Sequence, residues 1–250
     1  MIYEKNAYVS GSMCDSKLKL SIIAADEIVE NAVSELMGDL GIDGIVAMEK
    51  YKAMWVMTKN QIRFLRRPGW REEFLVKSYI SGHSMITLNI DTIVETKSKE
   101  ELVRARTELV AIDLERGKVR KAETVGFTMD MEHPIETDGI KLSRFPKEGG
   151  ELIDTVTVQP TSIDYCYHTN NVEYVRFMLN TYHMEHFKTR EPEMIEIHYE
   201  SQSFEGEKLN IYRAGTENED MLYIRRDGKN ITSCKVIWKD DPDRVGFINE

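Results

Sequence analysis

Between Leu20 and Leu40 the apolar residues fall at Ile22, Ala25, Val29, Ala32, Val33, Leu36 and Leu40, with spacings of three, four and seven. That spacing predicts one long amphipathic helix. Asp26, Glu27, Glu30 and Glu35 lie off the stripe, so their face is expected to look outward or toward a linker. Gly38 and Gly41 suit the C-terminal end. The pattern then changes. Ala53 to Leu65 is rich in β-formers and is stopped by Pro68-Gly69. Glu73 to Ile80, Met85 to Glu95 and Leu102 to Asp113 read as further strands.

Asp130 to Asp154 has no sustained period and holds seven acids against three Lys/Arg, with Pro134, Pro146 and Gly149-Gly150. It reads as a linker. The expected division is residues 1–130, a linker over 131–150, and residues 151–250. The second half repeats the plan. Thr155 to Val158 is β-like, and Asn171 to Phe187 is helical, with Val172, Val175, Leu179, Tyr182 and His186 on one side. Ile195, Ile197 and Tyr199 alternate with Glu196, His198 and Glu200, which is the period of a strand. After a turn at Glu205-Gly206 come Leu209 to Ile211, Met221 to Arg225 and Ile231 to Trp238. The expectation is an α+β chain made of two copies of one unit, each a long helix packed on an antiparallel sheet.

Composition narrows the function classes. The chain has 250 residues, and 41% belong to the hydrophobic set, which argues against wholesale disorder. The longest uncharged run, Ser78 to Ile90, is too short and too polar to span a membrane. The first residues carry Glu4 and Asp15 and have no apolar stretch, so neither a secretory signal nor an acid-poor transit leader is expected. A net charge of −10 disfavours nonspecific binding to nucleic acid or to an anionic membrane. Cys14, Cys166 and Cys234 form neither a disulfide framework nor a zinc motif, which fits a cytoplasmic setting.

The stretch Thr161 to Tyr174, where a strand passes into the second helix, can carry chemistry. If it is extended, Asp164, Cys166 and His168 share one face. Asn170 suits an N-cap, and Glu173 three residues on completes a capping-box pattern. The N–H groups of Asn171 and Val172 would then stabilise developing negative charge on an oxygen. A carboxylate, a thiol, an imidazole and such donors suit acyl transfer or hydrolysis. Each residue also has a plain structural role: Asp as turn former, Asn as cap, Cys as a small buried apolar group.

The series Asp164-x-Cys166-x-His168-x-Asn170-Asn171-x-x-Tyr174 resembles the Asp-x-Asn-x-His-x-Asn-Asn-x-x-Tyr segment of acyl-ACP thioesterases. The run from Met54-Trp55-Val56 through Ile62-Arg63-Phe64 to Arg67-Pro68-Gly69-Trp70 is similar to that family's N-terminal strand and turn, and Asp91 and Arg104 to Asp113 fit as well. The resemblance implies a tandem (double) hotdog fold and hydrolysis of a fatty acyl-ACP thioester, ending or diverting fatty acid synthesis. It implies that Asp164 acts as base, nucleophile or orienting carboxylate, that His168 is the motif histidine, and that the Asn171 N–H polarises the thioester carbonyl. Asn170 and Val172 accompany it in the substrate site. Two residues depart from the family. Cys166 replaces an asparagine, and Gln202 stands where the family carries a catalytic glutamate. A neutral glutamine cannot be a base, so that role falls to Asp164 or His168. Cys166 is expected to be passive, because a direct Cys–His bond is awkward along a strand.

In the family the N-terminal unit lines an acyl tunnel, which makes Trp55 and Met57 candidate wall residues, with Met54 beside them. No cofactor and no metal is expected, and His183 and His186 lack a second pair of ligands. The implied partner is an acyl carrier protein bearing a fatty acyl-phosphopantetheine thioester. Basic clusters at Arg63-Arg66-Arg67-Arg71, Arg116-Lys118-Arg120-Lys121 and Arg225-Arg226-Lys229 are candidate landing sites, with a second copy of the chain as a further partner. The alternatives are an acyl-CoA thioesterase and a non-catalytic sensor that binds acyl thioesters.

Overall fold

The strands all join one antiparallel sheet. The structure, a computed structural model, describes residues 1–133 and 140–241. In the first unit, β1 (Tyr3–Tyr8) precedes α1 (Ile22–Asp39) and α2 (Gly44–Tyr51). Then follow β2 (Ala53–Phe64), β3 (Glu73–His83), β4 (Thr87–Glu95), β5 (Glu101–Asp113) and the short β6 (Val119–Arg120). The second unit runs β7 (Glu151–Thr157), α3 (Asn171–Leu179), α4 (Met184–Thr189), β8 (Arg190–Tyr199), β9 (Lys208–Gly215), β10 (Glu219–Arg226) and β11 (Lys229–Asp240). The sheet order is β1-β3-β4-β5-β2-β8-β11-β10-β9-β7, with β6 on β5. Each unit therefore packs its own sheet on its own helix, 18 residues long in α1 and nine in α3, and β2 joins β8 to make the two sheets continuous.

Local chemistry sets the helix ends. Ser21 accepts the Ala24 N–H at 3.1 Å and starts α1. Asp43 accepts from Ile45 and Val46 and starts α2, which ends at Lys52 in the left-handed region. The single helix expected over Asn171 to Phe187 is two. Asn180 closes α3, Thr181 Oγ1 donates to the Met178 carbonyl at 2.7 Å, and the Tyr182 hydroxyl turns away to Asp220 at 2.7 Å. The elements β1, α2 and β6 carry too few periodic residues to have been expected.

On the acidic face of α1, Glu27 and Glu35 are exposed as expected, but Asp26 and Glu30 are not. Asp26 is fully buried, and Glu30 is half-buried with its Oε1 shut away from solvent. The reason is the second unit. Leu20, Val29 and Ile62 share one apolar core with Tyr174, Val175, Ile195 and Trp238, so the second unit covers part of the face beside the apolar stripe and leaves the Glu27, Asn31, Ser34 and Glu35 stripe exposed.

The same crowding explains β8. Ile195 and Ile197 are buried as the alternation predicts, but Glu196 is buried too. It accepts from Gln61 Nε2 of β2 at 2.5 Å and from the Ser143 N–H at 2.6 Å, and lies 2.9 Å from His198 Nε2. These bonds hold its carboxyl below the usual range despite burial. Phe145 stacks on His198 with centroids 3.8 Å apart. The described part of the linker is thus fastened along the β2–β8 junction; its residues 134–139 lie outside the described residues.

Candidate active site

Asp164, Cys166 and His168 do meet, but not on a strand. Residues 164–168 form a tight loop closed by Asp164 N–H to the His168 carbonyl at 3.0 Å and Tyr167 N–H to the Asp164 carbonyl at 3.1 Å. Tyr167 sits at φ 62°, which an extended chain never visits. Asp164 Oδ1 accepts the Cys166 N–H at 2.8 Å, an Asx turn. A bridge between Ile163 and Thr169 closes the base of the loop. The ligand atoms of Asp164, Cys166 and His168 all lie within 4.8 Å of one another. They could touch one small ion or one polar substrate atom; three donors without a fourth do not make a closed structural metal site.

His168 Nδ1 is 3.5 Å from Asp164 Oδ2 and 3.2 Å from the Thr169 carbonyl, and both side chains are partly exposed. The imidazole can therefore keep its proton on Nδ1, which leaves Nε2 as the acceptor. Burial and the neighbouring Asp164 push the Cys166 thiol up, so it stays protonated near neutral pH. The loop removes the strand spacing that argued against a Cys–His contact; the protonated thiol now supports a passive Cys166.

The loop ends at α3. Asn170 Oδ1 accepts the Val172 N–H at 2.9 Å, so that donor serves the cap and is unavailable to substrate. The Asn171 N–H has no acceptor among the described residues and is the free donor of the first turn. The expected capping box does not form. The Asn170 N–H goes to the Ser162 carbonyl, while Glu173 bonds the Ser162 hydroxyl and Arg176. The Asn171 side chain points into the first unit, where its Nδ2 is 4.0 Å from Met57 Sδ. Met57 and Trp55 pack beside the cluster of Val33, Leu36, Ile80, Leu88, Ile90 and Phe127. Met57 is thus the tunnel candidate that touches the centre.

Among the described residues no hydrogen bond joins the Gln202 side chain to Asp164, Cys166 or His168. Gln202 is exposed, and its backbone carbonyl is held by Arg226 at 3.2 Å. The next residue turns inward instead. Ser203 is buried, and its hydroxyl is bonded by Thr169 at 2.7 Å and Tyr174 at 2.9 Å. The motif tyrosine therefore ties α3 to the loop after β8.

The first unit contains the same loop. Asp15 N–H bonds the Lys19 carbonyl at 2.9 Å, Leu18 N–H bonds the Asp15 carbonyl at 3.1 Å, and Leu18 has φ 55°. Asp15 Oδ1 accepts the Lys17 N–H at 2.9 Å, and Cys14 bridges Leu20. Backbone matches backbone, but the side chains differ. Lys17, Lys19, Ser21 and Ile22 occupy the places of Cys166, His168, Asn170 and Asn171. There Arg67 binds both Asp15 and Glu191, and Lys19 pairs with Glu191 at 3.1 Å. That copy is locked by ion pairs.

The family model described as Acyl-ACP thioesterase N-terminal domain matches residues 1–125, and the Acyl-ACP thioesterase C-terminal domain matches residues 147–240. The chain belongs to the acyl-ACP thioesterase family. It is 24% identical over 208 residues to the chloroplastic acyl-[acyl-carrier-protein] hydrolase FATB1 of Cuphea viscosissima, covering 77% of this chain and 49% of that protein. It is 28% identical over 152 residues to FATB3 of the same plant, covering 58% and 37%. The chain thus spans about half or less of the length of these relatives.

Among solved structures it resembles an acyl-ACP thioesterase from Bacteroides thetaiotaomicron, with a TM-score of 0.88, 20% identity and coverage of 95% and 98% of the two chains. It also resembles the 12:0-ACP thioesterase from Umbellularia californica, with a TM-score of 0.81, 16% identity and coverage of 96% and 98%. These likenesses bear out the tandem hotdog of α+β class expected from the sequence. Among the described residues no helix is long and apolar enough to cross a membrane.

Proposed function

We propose that this acyl-ACP thioesterase relative hydrolyses the thioester between a fatty acyl group and acyl carrier protein, giving a free fatty acid and the carrier thiol. One observation supports the reading above others: a loop that packs Asp164, His168 and a protonated Cys166 within 4.8 Å, directly before a helix N-terminus with a free Asn171 N–H. The thioester oxygen accepts from the Asn171 N–H, where the helix end favours the charge that develops on it. Asp164 and His168 hold a water and take its proton as oxygen bonds to the acyl carbon. The carbon–sulfur bond then breaks, and the same pair returns a proton to the leaving thiolate. Cys166 stays neutral and orients polar atoms in the loop. In this reading the first unit, residues 1–130, holds the acyl chain along Trp55 and Met57, and the second does the chemistry.

The carrier protein is acidic in character, so docking falls to free cations. Arg66 is paired with Glu72 and Glu100, and Arg67 is buried with Asp15 and Glu191, which removes both from that role. Lys147, Arg226 and Lys229 line an open groove of about 570 Å³ and are the candidates for that role, although Arg226 is partly engaged by Glu207 and Glu148, Glu200 and Asp227 line the same groove. The test is a panel of C4 to C18 acyl groups on carrier protein and on coenzyme A, read as free acid at several salt concentrations. The proposal expects turnover on the carrier that falls steeply with salt. Equal turnover on coenzyme A, insensitive to salt, supports the CoA thioesterase alternative. Tight acyl-thioester binding without release of acid supports a sensor.

A further inference from the structure

We propose that Glu30, on the long helix of the first unit, is a positioning residue of the centre built around Asp164, His168 and Asn171. The proposal rests on the hydrolytic reading above and adds to it a group from the other unit.

Three observations place Glu30 there. The first is the exchange of faces between the two copies. The loop at Asp15 faces the second unit's helix, and a 230 Å³ cleft there is lined by Asp15, Ser21, Ile22 and Leu179 together. The loop at Asp164 faces the first unit's helix in return, with Glu30 close enough to feel the Asp164 charge. Counted from the first helical residue, Glu30 and Leu179 hold the same place in α1 and α3, and Asp26 and Val175 hold another. The helix that faces the inert, ion-paired loop is apolar at both places. The helix that faces the loop with the histidine is acidic at both. An ordinary core selects apolar residues at such positions, so the acids on this side need a reason other than packing.

The second observation is electrostatic. Burial and Asp26 push the Glu30 carboxyl up, and the Asn171 side chain acts against them and holds it down. On its other flank the same amide lies against Met57 Sδ. Asn171 is the first residue of α3 and owns the free N–H of that helix. A group that fixes its side chain fixes the direction of that N–H as well. The third observation is that Glu30 Oε1 is shielded and has no hydrogen-bond partner among the described residues. Native structures rarely tolerate a buried polar atom without one. A carboxyl kept in that state beside the reacting groups has a use that its own fold does not supply.

Two substitutions separate this role from simple packing. Glu30→Leu copies the residue of the other helix, and Glu30→Gln keeps the shape and an acceptor for Asn171. The proposal expects Glu30→Leu to lower kcat on the order of 10- to 100-fold with KM within about twofold, because the donor is displaced while the acyl tunnel is not. Thermal stability of that variant should equal or exceed wild type, since a buried acid has been replaced by an apolar side chain. Glu30→Gln should recover most of kcat. The Asn171 side-chain amide resonances, assigned by their loss in Asn171→Asp, should move in Glu30→Leu, and this needs no substrate. Wild-type kcat in Glu30→Leu, with an active parent enzyme, overturns the proposal. So does a parallel fall in kcat and stability in both variants. A parent that hydrolyses no thioester in the panel, with the Asn171 resonances still moved by Glu30→Leu, overturns the hydrolytic reading and leaves the coupling of Glu30 to Asn171 standing.

Discussion

Removing the charge of Asp26 should flatten the pH dependence of stability. Asp26 is fully buried, with Oδ1 bonded to Asn60 Nδ2 at 2.9 Å and Oδ2 without a hydrogen-bond partner among the described residues. It is faced by Glu27 and Glu30 from its own helix, Asn60 from β2, Tyr199 from β8 and Cys234 from β11; no cation is among them. Burial, above all, pushes its carboxyl from the ordinary 3.8 up to about 7. Ionising it inside the fold therefore costs on the order of 4 kcal/mol more than ionising it in the unfolded chain. Below the unfolded value both states hold the proton. As pH rises from there toward 7, only the folded state keeps it, so stability falls, and above 7 the loss is complete. Asp26→Asn cannot ionise, and its new N–H₂ replaces the O–H of the protonated acid. The variant should match wild type near the acid end and exceed it by up to about 4 kcal/mol in mild alkali, or roughly 8–16 °C in thermal midpoint for a chain of this size. Because Asp26 also raises the pKa of Glu30, easier ionisation of Glu30 in the variant acts in the same direction. Urea unfolding of both proteins from about pH 4.5 to about pH 8.5 measures the difference, and titrations common to both cancel. Two parallel stability curves would refute the reasoning, for they would mean that Asp26 is already ionised and compensated.

Asp164→Ala and His168→Ala should each lower kcat on the order of 100-fold or more while unfolding near the wild-type midpoint; near-wild-type kcat in both would move the centre elsewhere. Cys166→Ala and Cys166→Asn should retain a substantial part of the activity, and Cys166 should alkylate slowly at neutral pH because its thiol is held up by burial and by Asp164. A covalent acyl-cysteine seen by mass spectrometry, lost together with all turnover in Cys166→Ala, would reverse that assignment. Met57→Ala and Trp55→Ala should move the acyl preference toward longer chains, by about fourfold per carbon at ~0.8 kcal/mol per CH₂. A uniform fall in kcat/KM at every chain length would show that these two residues only fill core.

The duplication was legible because each unit hides one helix stripe and several alternating strands, and both patterns survive in the residues. The centre was legible as a motif but not as a shape. Asp164 to His168 alternates like a strand, and only the Asx turn and the left-handed Tyr167 reveal the loop. The exposure of Gln202 was hidden for a related reason. A single step along the chain decides whether residue 202 or Ser203 points inward, and the bond from Tyr174 to Ser203 decides it. Asp26 and Glu30 were visible as acids beside an apolar stripe, and periodicity placed them outward or toward the linker. That inference assumes a helix with one covered side. Here the second unit covers part of the face beside the stripe, a fact of packing that no local pattern holds. The clue was comparative: the second helix has Val175 and Leu179 where the first has two acids.

The pairing of β2 with β8, from Lys59↔His198 to Arg63↔Met194, has a consequence for dilution. Separate halves would each carry an open strand edge, a template for misassembly, and would meet only by collision. Joined through one chain, each half sees the other at an effective concentration on the order of millimolar, whatever the concentration of the protein. Specific activity of the intact chain should therefore be independent of concentration. A chain cleaved within residues 134–139 should keep its activity at high concentration and lose it on dilution, because Glu30 and Asn171 then reside on different polypeptides.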